Sequence, residues 1–450
     1  MYSENPFGPQ FEPLEMPEHT EILTMREHPS LPDPQSAVRN ALLHPTAGPG
    51  LDKIATERKQ AKPDAAAVIV VSDNTRPVPY RGEGNILIPV IETLLESGFS
   101  YDDMTILIST GMHRAMDIEE QKAMLDPYVF EHGIKVVNHD AKDRSALTDL
   151  GTTARGSRIM IDSRYVDADV KIVTGLIESH FMAGASGGRK AVCPGLIGEE
   201  STYVFHGPEL MADGKSTNLV LDGNPVHEES LAFARAAGID FLLNVTLNRR
   251  FEITGVFSGE FEKAHADGVS FIREEVAVPA HGSDIVITHG GYVGLNHYQC
   301  CKCAVASLGI LKPGGYLIIL GDIHDRKDPV GSLNYKTCLS LLTSVGAENY
   351  FRMICSPDWT FIPEQWQVQQ WGKVFERIAP DHLIFYASTL DTTVFEGLPG
   401  HVLPKGLGYA AALREAFAYI STKEKKALNS MTVSYIADGP YAVPFDKRDK

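Results

Sequence analysis

The chain has 450 residues, enough for two or three domains of about 150–200 residues each. It is 43% hydrophobic and carries a formal charge of −17, with a sequence pI of about 5.4. Such a surface repels nucleic acid and anionic membranes, so neither is expected as a partner. No apolar run approaches the roughly 20 residues that span a bilayer. The start, MYSENPFGPQFEPLEMPE, has no basic-then-apolar leader pattern. Six cysteines in so long a chain do not make a disulfide framework, and the expected compartment is the cytoplasm.

Residues 1–60 read as an extended, proline-rich arm followed by a short helix. The run Ala66–Val71 is a buried strand by composition, and it ends in Ser72-Asp73-Asn74-Thr75-Arg76-Pro77. An amphipathic helix over Ile86–Ser97 follows, stopped by Gly98. A second strand, Thr105–Ser109, ends in Thr110-Gly111-Met112-His113-Arg114, and Asp117 with Glu120 forms a capping pair for the next helix. Ile134–Val137 and Val170–Leu176 are the third and fourth strands. Strand, polar tip and helix thus alternate, which is the pattern of a parallel α/β sheet whose tips face one crevice.

The fourth strand leads into GLIESHFMAGASGGRKAVCPGLIGEESTYVFHGP, residues 175–208. Gly184, Gly187 and Gly188 let backbone approach a ligand closely or adopt positive φ, and N–H groups of such a loop can hold an anion. His180, Lys190 and His206 punctuate it. One reading is a site for an anionic cofactor and a metal. The plainer reading is a flexible turn with a solvated lysine and two unrelated histidines. A nucleotide P-loop is excluded, because Arg189 separates Gly188 from Lys190 and Ala191 follows where a hydroxyl belongs.

Beyond His206 the chain predicts a helix ending near Gly238, strands Phe241–Leu247 and Ile253–Phe257, and a helix over Phe261–Ala277. Residues 278–283 read as a linker. The expected division is a catalytic, cofactor-binding domain over 1–278, an α/β domain over 283–405, and a tail, 406–450, packing back on the first domain. Both domains are expected to be α/β with mainly parallel sheets, enclosing an active-site cleft. The second begins with strand Asp284–Thr288 and a helix carrying Tyr298, Gln299, Cys300, Cys301, Lys302 and Cys303. Leu311–Gly315 turns into strand Tyr316–Leu320. Helices near 335–345 and 363–378, strand Leu383–Tyr386, a helix near 409–420 and strand Thr432–Ile436 complete it.

Adjacent cysteines on a helix diverge by about 100°, so Cys300, Cys301 and Cys303 read as buried small hydrophobes rather than a metal grip. Trp366 reads as a core helix residue unless a pocket claims it.

In their order, the polar tips resemble one family, the nickel-dependent lactate racemases. The matching elements are Ser72–Pro77, Thr110–Arg114, Ser179-His180, Gly188-Arg189-Lys190, Phe205-His206-Gly207-Pro208 and Asn224-Pro225, with Tyr298-Gln299, Lys302 and Trp366 further on. The resemblance implies a racemase or epimerase acting on C2 of a 2-hydroxy acid, by reversible hydride transfer through a 2-keto acid. It implies a nickel-pincer nucleotide, a pyridinium mononucleotide with two sulfur arms, joined covalently to Lys190 and supplied by cofactor-maturation proteins. It implies His206 as nickel ligand and His113 and His180 as acid/base catalysts. Asp73, Asn74, Thr75 and Arg76 match the cofactor-holding motif, and Arg76, Gln299, Lys302 and Trp366 the substrate contacts.

The chemistry accounts for these residue types. Loss of the C2 hydrogen as a proton would leave a carbanion beside a carboxylate, whereas hydride transfer avoids that charge. Two enantiomers present their hydroxyls differently, so two bases of near-neutral pKa are required, and histidine suits both. Arginine and lysine bind a carboxylate by charge-assisted hydrogen bonds. A non-catalytic hydroxy-acid or cofactor-binding protein on the same scaffold, or a zinc-dependent hydrolase, are the alternatives. Lactate, malate, other aliphatic hydroxy acids and sugar acids all remain open as substrates.

Overall fold

A computed structural model describes residues 2–3, 14–291, 294–323, 325, 327–388 and 390–449. Most of the expected proline-rich arm, residues 4–13, lies outside the described residues. The chain divides into two compact units, Glu27–Glu274 and Met1–Arg26 with Glu275–Lys450.

The sheet of the unit Glu27–Glu274 contains β1 (Ala67–Ser72), β2 (Met104–Ser109), β3 (Lys135–Asn138), β4 (Val170–Leu176), β5 (Phe241–Leu247) and β6 (Ile253–Gly259). Their order across the sheet is β6-β5-β4-β1-β2-β3. All neighbours are parallel except the hairpin pair β5 and β6. The central strands are β-branched and buried on both faces, as in Val68, Ile69, Val70 and Val71, because helices cover both sides. Helix Leu87–Glu96 presents Leu87, Val90, Ile91 and Leu94 to that core. The chain leaves β1 toward β2 and β3, then returns to build β4 and β5 on the other side. The reversal falls between β1 and β4, where open α/β sheets leave a crevice beyond the strand C-termini.

The second unit has β7 (Ser283–His289), β8 (Leu311–Gly321), β9 (Leu383–Ala387), β10 (His401–Val402) and β11 (Val433–Ile436). Their order is β10-β9-β8-β7-β11, with Glu21–Leu23 at the far edge, and every pairing is parallel. The α/β class with mainly parallel sheets is therefore present in both units.

Several local expectations change. The start of the chain forms two helices, Pro34–Leu43 and Leu51–Ala61, the first capped by the Asp33 side chain accepting from the Ser36 N–H. Residues 277–280, expected within a helix end and a linker, form a strand paired with Val443–Asp446. Leu311–Gly315 belongs to β8, with Gly314 at φ +75° taking the bend. The stretch 406–450, expected to pack back on the first domain, builds the second unit instead. Helix Tyr409–Glu424 buries Leu413, Ala416 and Ile420 in that unit's core, and β11 sits between β7 and Glu21–Leu23. The reason is burial: every side chain of Val433-Ser434-Tyr435-Ile436 is buried, which only an interior strand provides. The hairpin Leu147–Thr152 with Arg158–Asp162 has no apolar alternation to announce it.

Candidate active site at the strand tips

Asp73 follows the last residue of β1. It is buried, and its carboxylate accepts from the Thr75 N–H at 3.2 Å and the Thr75 hydroxyl at 2.6 Å. Its other oxygen lies 2.7 Å from Nδ1 of His113, beyond the end of neighbouring β2. A carboxylate only accepts, so Nδ1 donates, and Nε2 of a neutral His113 keeps its lone pair. Burial opposes the charge on Asp73, yet His113, Thr75 and Arg76 together hold its carboxyl below the ordinary value. Two turns fix this geometry. The His113 N–H donates to the Thr110 carbonyl at 3.0 Å, and the Gly111 N–H to the Gly195 carbonyl at 3.0 Å. Gly111 has φ +55°, which suits glycine.

Arg76 places Nε 3.8 Å from a carboxylate oxygen of Glu178, two residues beyond β4. That ion pair links the β1 tip to the β4 tip, as the adjacency of the two strands demands. Asn74 is exposed on the same turn. Arg114 forms an exposed ion pair with Glu120, 2.7 Å from it, and so serves the capped helix behind the tip.

Beyond β4 the glycine loop doubles back, pairing His180 with Gly184. The N–H groups of Met182 and Ala183 both point at Nδ1 of His180 at 3.2 Å. Nδ1 therefore accepts, and the protonation of Nε2 is set by the group it faces. That Nε2 lies 3.0 Å from Nζ of Lys190, which sits on the turn Gly188–Ala191. His206 ends helix Glu199–Phe205 and is half-buried. Burial, reinforced by the charge of Lys190, pushes its imidazole down to about 3, so it stays neutral.

Four side chains hold the loop that carry no weight in the sequence reading. Asn244, buried in mid-β5, accepts the Gly188 N–H at 2.7 Å. Arg189 is itself buried and donates to the Ala183 carbonyl at 2.6 Å and to Nε2 of His265 at 3.0 Å. Ser186 and Glu178 exchange hydrogen bonds: the Glu178 N–H donates to the Ser186 hydroxyl at 2.8 Å, and the Ser186 N–H to the Glu178 carbonyl at 2.9 Å. A lone Asn inside the apolar run Phe-Leu-Leu-Asn-Val-Thr-Leu is a visible signal, since a buried amide needs a partner. Asn224 behaves similarly. It caps helix Pro225–Ala237 and donates to the Met182 carbonyl at 3.0 Å, which ties the Asn-Pro motif to the His180 turn.

The remaining expected residues belong to the second unit. Gln299 and Lys302 occupy successive turns of helix His297–Ala306, whose first turn is capped by Asn296. Trp366, on helix Gln365–Arg377, donates from Nε1 to the Tyr298 hydroxyl at 3.2 Å, and Gln367 donates to the Tyr298 carbonyl at 2.7 Å. Helix and tryptophan are thus fastened together. Beneath them Trp371 donates to the Tyr335 hydroxyl at 2.8 Å, and that hydroxyl lies 2.9 Å from Nδ1 of His297. Cys300, Cys301 and Cys303 are buried, with sulfurs turned to backbone carbonyls, and burial pushes the thiols of Cys301 and Cys303 far above the ordinary value. They are packing, as expected.

Among the described residues no three His, Cys, Asp or Glu side chains gather as metal ligands. A metal here must bring most of its own ligands. One neutral, half-buried imidazole, His206, close enough to feel the charge of Lys190 on a glycine-held turn, fits a metal carried by a tethered cofactor. No helix among the described residues is long and apolar enough to cross a membrane.

Residues 7–218 match the family described as the lactate racemase N-terminal domain. The lactate racemase of Lactiplantibacillus plantarum is 32% identical over 366 residues, which cover 79% of this chain and 80% of that protein. The lactate racemase of Thermoanaerobacterium thermosaccharolyticum is 29% identical over 417 residues, 92% of this chain and 91% of that one. The solved structure of the lactate racemase apoprotein from Thermoanaerobacterium thermosaccharolyticum superposes with a TM-score of 0.85 at 26% identity, covering 99% of this chain and all of that one. A Thermotoga maritima protein at 15% identity, with a TM-score of 0.61 over 88% of this chain and 98% of its own, shares the fold.

Proposed function

This chain belongs to the lactate racemase family, and on that premise we propose that it inverts the C2 centre of a 2-hydroxy acid. The observation that carries the reading is the unlike presentation of two histidines at the tips of β2 and β4, the strands on either side of β1. His113 offers a lone pair at Nε2, because Asp73 takes its Nδ1 proton at 2.7 Å. Two backbone N–H groups donate to Nδ1 of His180, and its Nε2 faces Nζ of Lys190 at 3.0 Å; with that lysine nitrogen tied into a cofactor linkage, Nε2 would be the one left to carry and give the proton. A racemase needs one base and one acid in each direction; this pair supplies both for one enantiomer, and the opposite enantiomer requires the proton to start on His113 instead.

In the proposed reaction Arg76 anchors the substrate carboxylate, with Gln299, Lys302 and Trp366 as further substrate contacts. His113 takes the hydroxyl proton of one enantiomer while the C2 hydrogen leaves with its electron pair. The product of that half is a flat 2-keto acid. It accepts the hydrogen on its other face, and His180 returns a proton to its oxygen. The opposite enantiomer runs the same steps with the histidines exchanged. The group that fits the site is a nickel-pincer nucleotide, held by Lys190, by His206 at the metal, and by Asp73, Asn74, Thr75 and Arg76. When bound, its pyridinium ring supplies the two-electron acceptor for the C2 hydrogen. Maturation proteins would build that nucleotide, and a cytoplasmic enzyme would have access to them.

The test is a panel of chiral 2-hydroxy acids incubated in deuterated water with cofactor-loaded enzyme. Inversion is expected with the original hydrogen kept at C2. Complete exchange of that hydrogen for deuterium would overturn the hydride route, and no inversion of any acid would overturn the racemase reading.

A further inference from the structure

Glu178, beyond the tip of β4, is a carboxylate facing Arg76 that the acid/base chemistry leaves unused. Asp73 is engaged by His113 at 2.7 Å and by both donors of Thr75. Glu178 instead faces the Nε edge of Arg76 at 3.8 Å, an ion pair too long to be a hydrogen bond. Both side chains are about four-fifths buried, with exposures of 21% for Arg76 and 22% for Glu178. The backbone beneath Glu178 is pinned on both sides by Ser186, so its Cα cannot retreat from the crevice. Two residues further on stands His180. The tip that binds a carboxylate through Arg76 thus already holds two carboxylates against that one guanidinium.

We propose that Glu178 selects the substrate class: 2-hydroxy acids with a single carboxylate, whose chain beyond C2 offers neutral hydroxyls, and not dicarboxylates. The argument rests on the reading of Arg76 as the substrate's anchor. A carboxylate has about four acceptor positions. One edge of Glu178 balances Arg76, and the rest can accept from a substrate hydroxyl. A second substrate carboxylate would meet Glu178 as a like charge in a partly desolvated crevice, where repulsion is strong. It would also compete for Arg76 against a partner already in place. Lactate, glycerate and gluconate satisfy the first condition, and malate and tartrate do not.

The experiment compares the wild-type chain with Glu178→Gln and Glu178→Asp. Binding of lactate, gluconate and malate is measured by calorimetry on the full chain, and kcat/KM for each on the cofactor-loaded enzyme. Wild type should favour gluconate and lactate over malate by roughly tenfold or more, and Glu178→Gln should bring malate to within about twofold of lactate. Glu178→Asp keeps the charge and should keep the exclusion, a rescue that a purely structural role would not give. Circular-dichroism melting separates selectivity from misfolding. Malate bound by wild type as tightly as lactate, or an unchanged malate-to-lactate ratio in Glu178→Gln, would overturn the proposal. If the binding ratio moves as expected but no acid is inverted by loaded enzyme, the selectivity stands and the racemase reading falls.

Discussion

His113 and His180 sit at the tips of strands in one sheet, yet they are held by opposite means. Behind His113 is a side chain, Asp73, whose carboxylate takes the Nδ1 proton. Behind Nδ1 of His180 are backbone donors, the N–H groups of Met182 and Ala183. A carboxylate partner makes the outward nitrogen a base, and backbone donors make it an acid. The same imidazole thus acquires two roles from what stands behind it. The carboxylate can be mutated or titrated, whereas the backbone pair depends only on the shape of the glycine loop.

The largest effect concerns the loop side. Lys190→Ala should abolish covalent cofactor attachment altogether, and intact-mass measurement of protein co-expressed with a maturation pathway reads it. A retained adduct would remove Lys190 from the scheme. Next, His113→Gln and His180→Gln should each lower kcat by roughly 10²–10⁴-fold while leaving metal content unchanged. Either variant at full activity would break the comparison on that side.

Asp73→Asn sharpens it. The amide can turn its N–H₂ toward Nδ1, which would force the proton onto the outward nitrogen and spoil the base. A fall of roughly 10²–10⁴-fold in kcat/KM is expected, as for other carboxylate–imidazole pairs. The same residue sets an acid limit. Its folded-state pKa lies below the ordinary aspartate value, so its contribution to stability is complete above that ordinary value. That contribution is lost as pH falls through the lower folded value, and Asp73→Asn should flatten this acid limb in melting curves.

Buried imidazoles predict a second, milder slope. His206 and His297 are each pushed from 6.5 down to about 3 by burial. The unfolded chain therefore binds protons that the folded chain refuses, and stability should decline as pH falls from about 6.5 toward 3. His206→Gln should remove part of that decline, and a melting temperature independent of pH over this range would count against neutral burial. Smallest of all, Asn74→Ala should lower kcat/KM of the loaded enzyme by about two- to tenfold, since its exposed side chain would add one hydrogen bond to a nucleotide that its neighbours also hold. An unchanged value would remove Asn74 from the cofactor contacts.

Much of the fold is legible because the period-two and buried-run signals are local. β4 and β5 fall on the expected residues, and the capping box of Asp117 with Glu120 is present. Chemistry-bearing tips are legible because parallel sheets put ligands beyond strand C-termini. The supports were not. Asn244 lies 56 residues from the glycine it holds, and His265 76 residues from Arg189. Nothing in the local spacing marks either pair.

Order along the chain thus determined which residue types arrive at the tips, and that two imidazoles and a lysine accompany a flexible loop. Only the tertiary structure decided which nitrogen of each imidazole points outward, that Glu178 faces Arg76, and that residues 406–450 complete the second sheet. The physical reason is range. Strands and turns follow from neighbours a few residues apart, whereas the Nδ1 proton of His113 follows from a carboxylate that the sheet brings to it from another strand tip, and the Arg76–Glu178 pair from residues about a hundred positions apart.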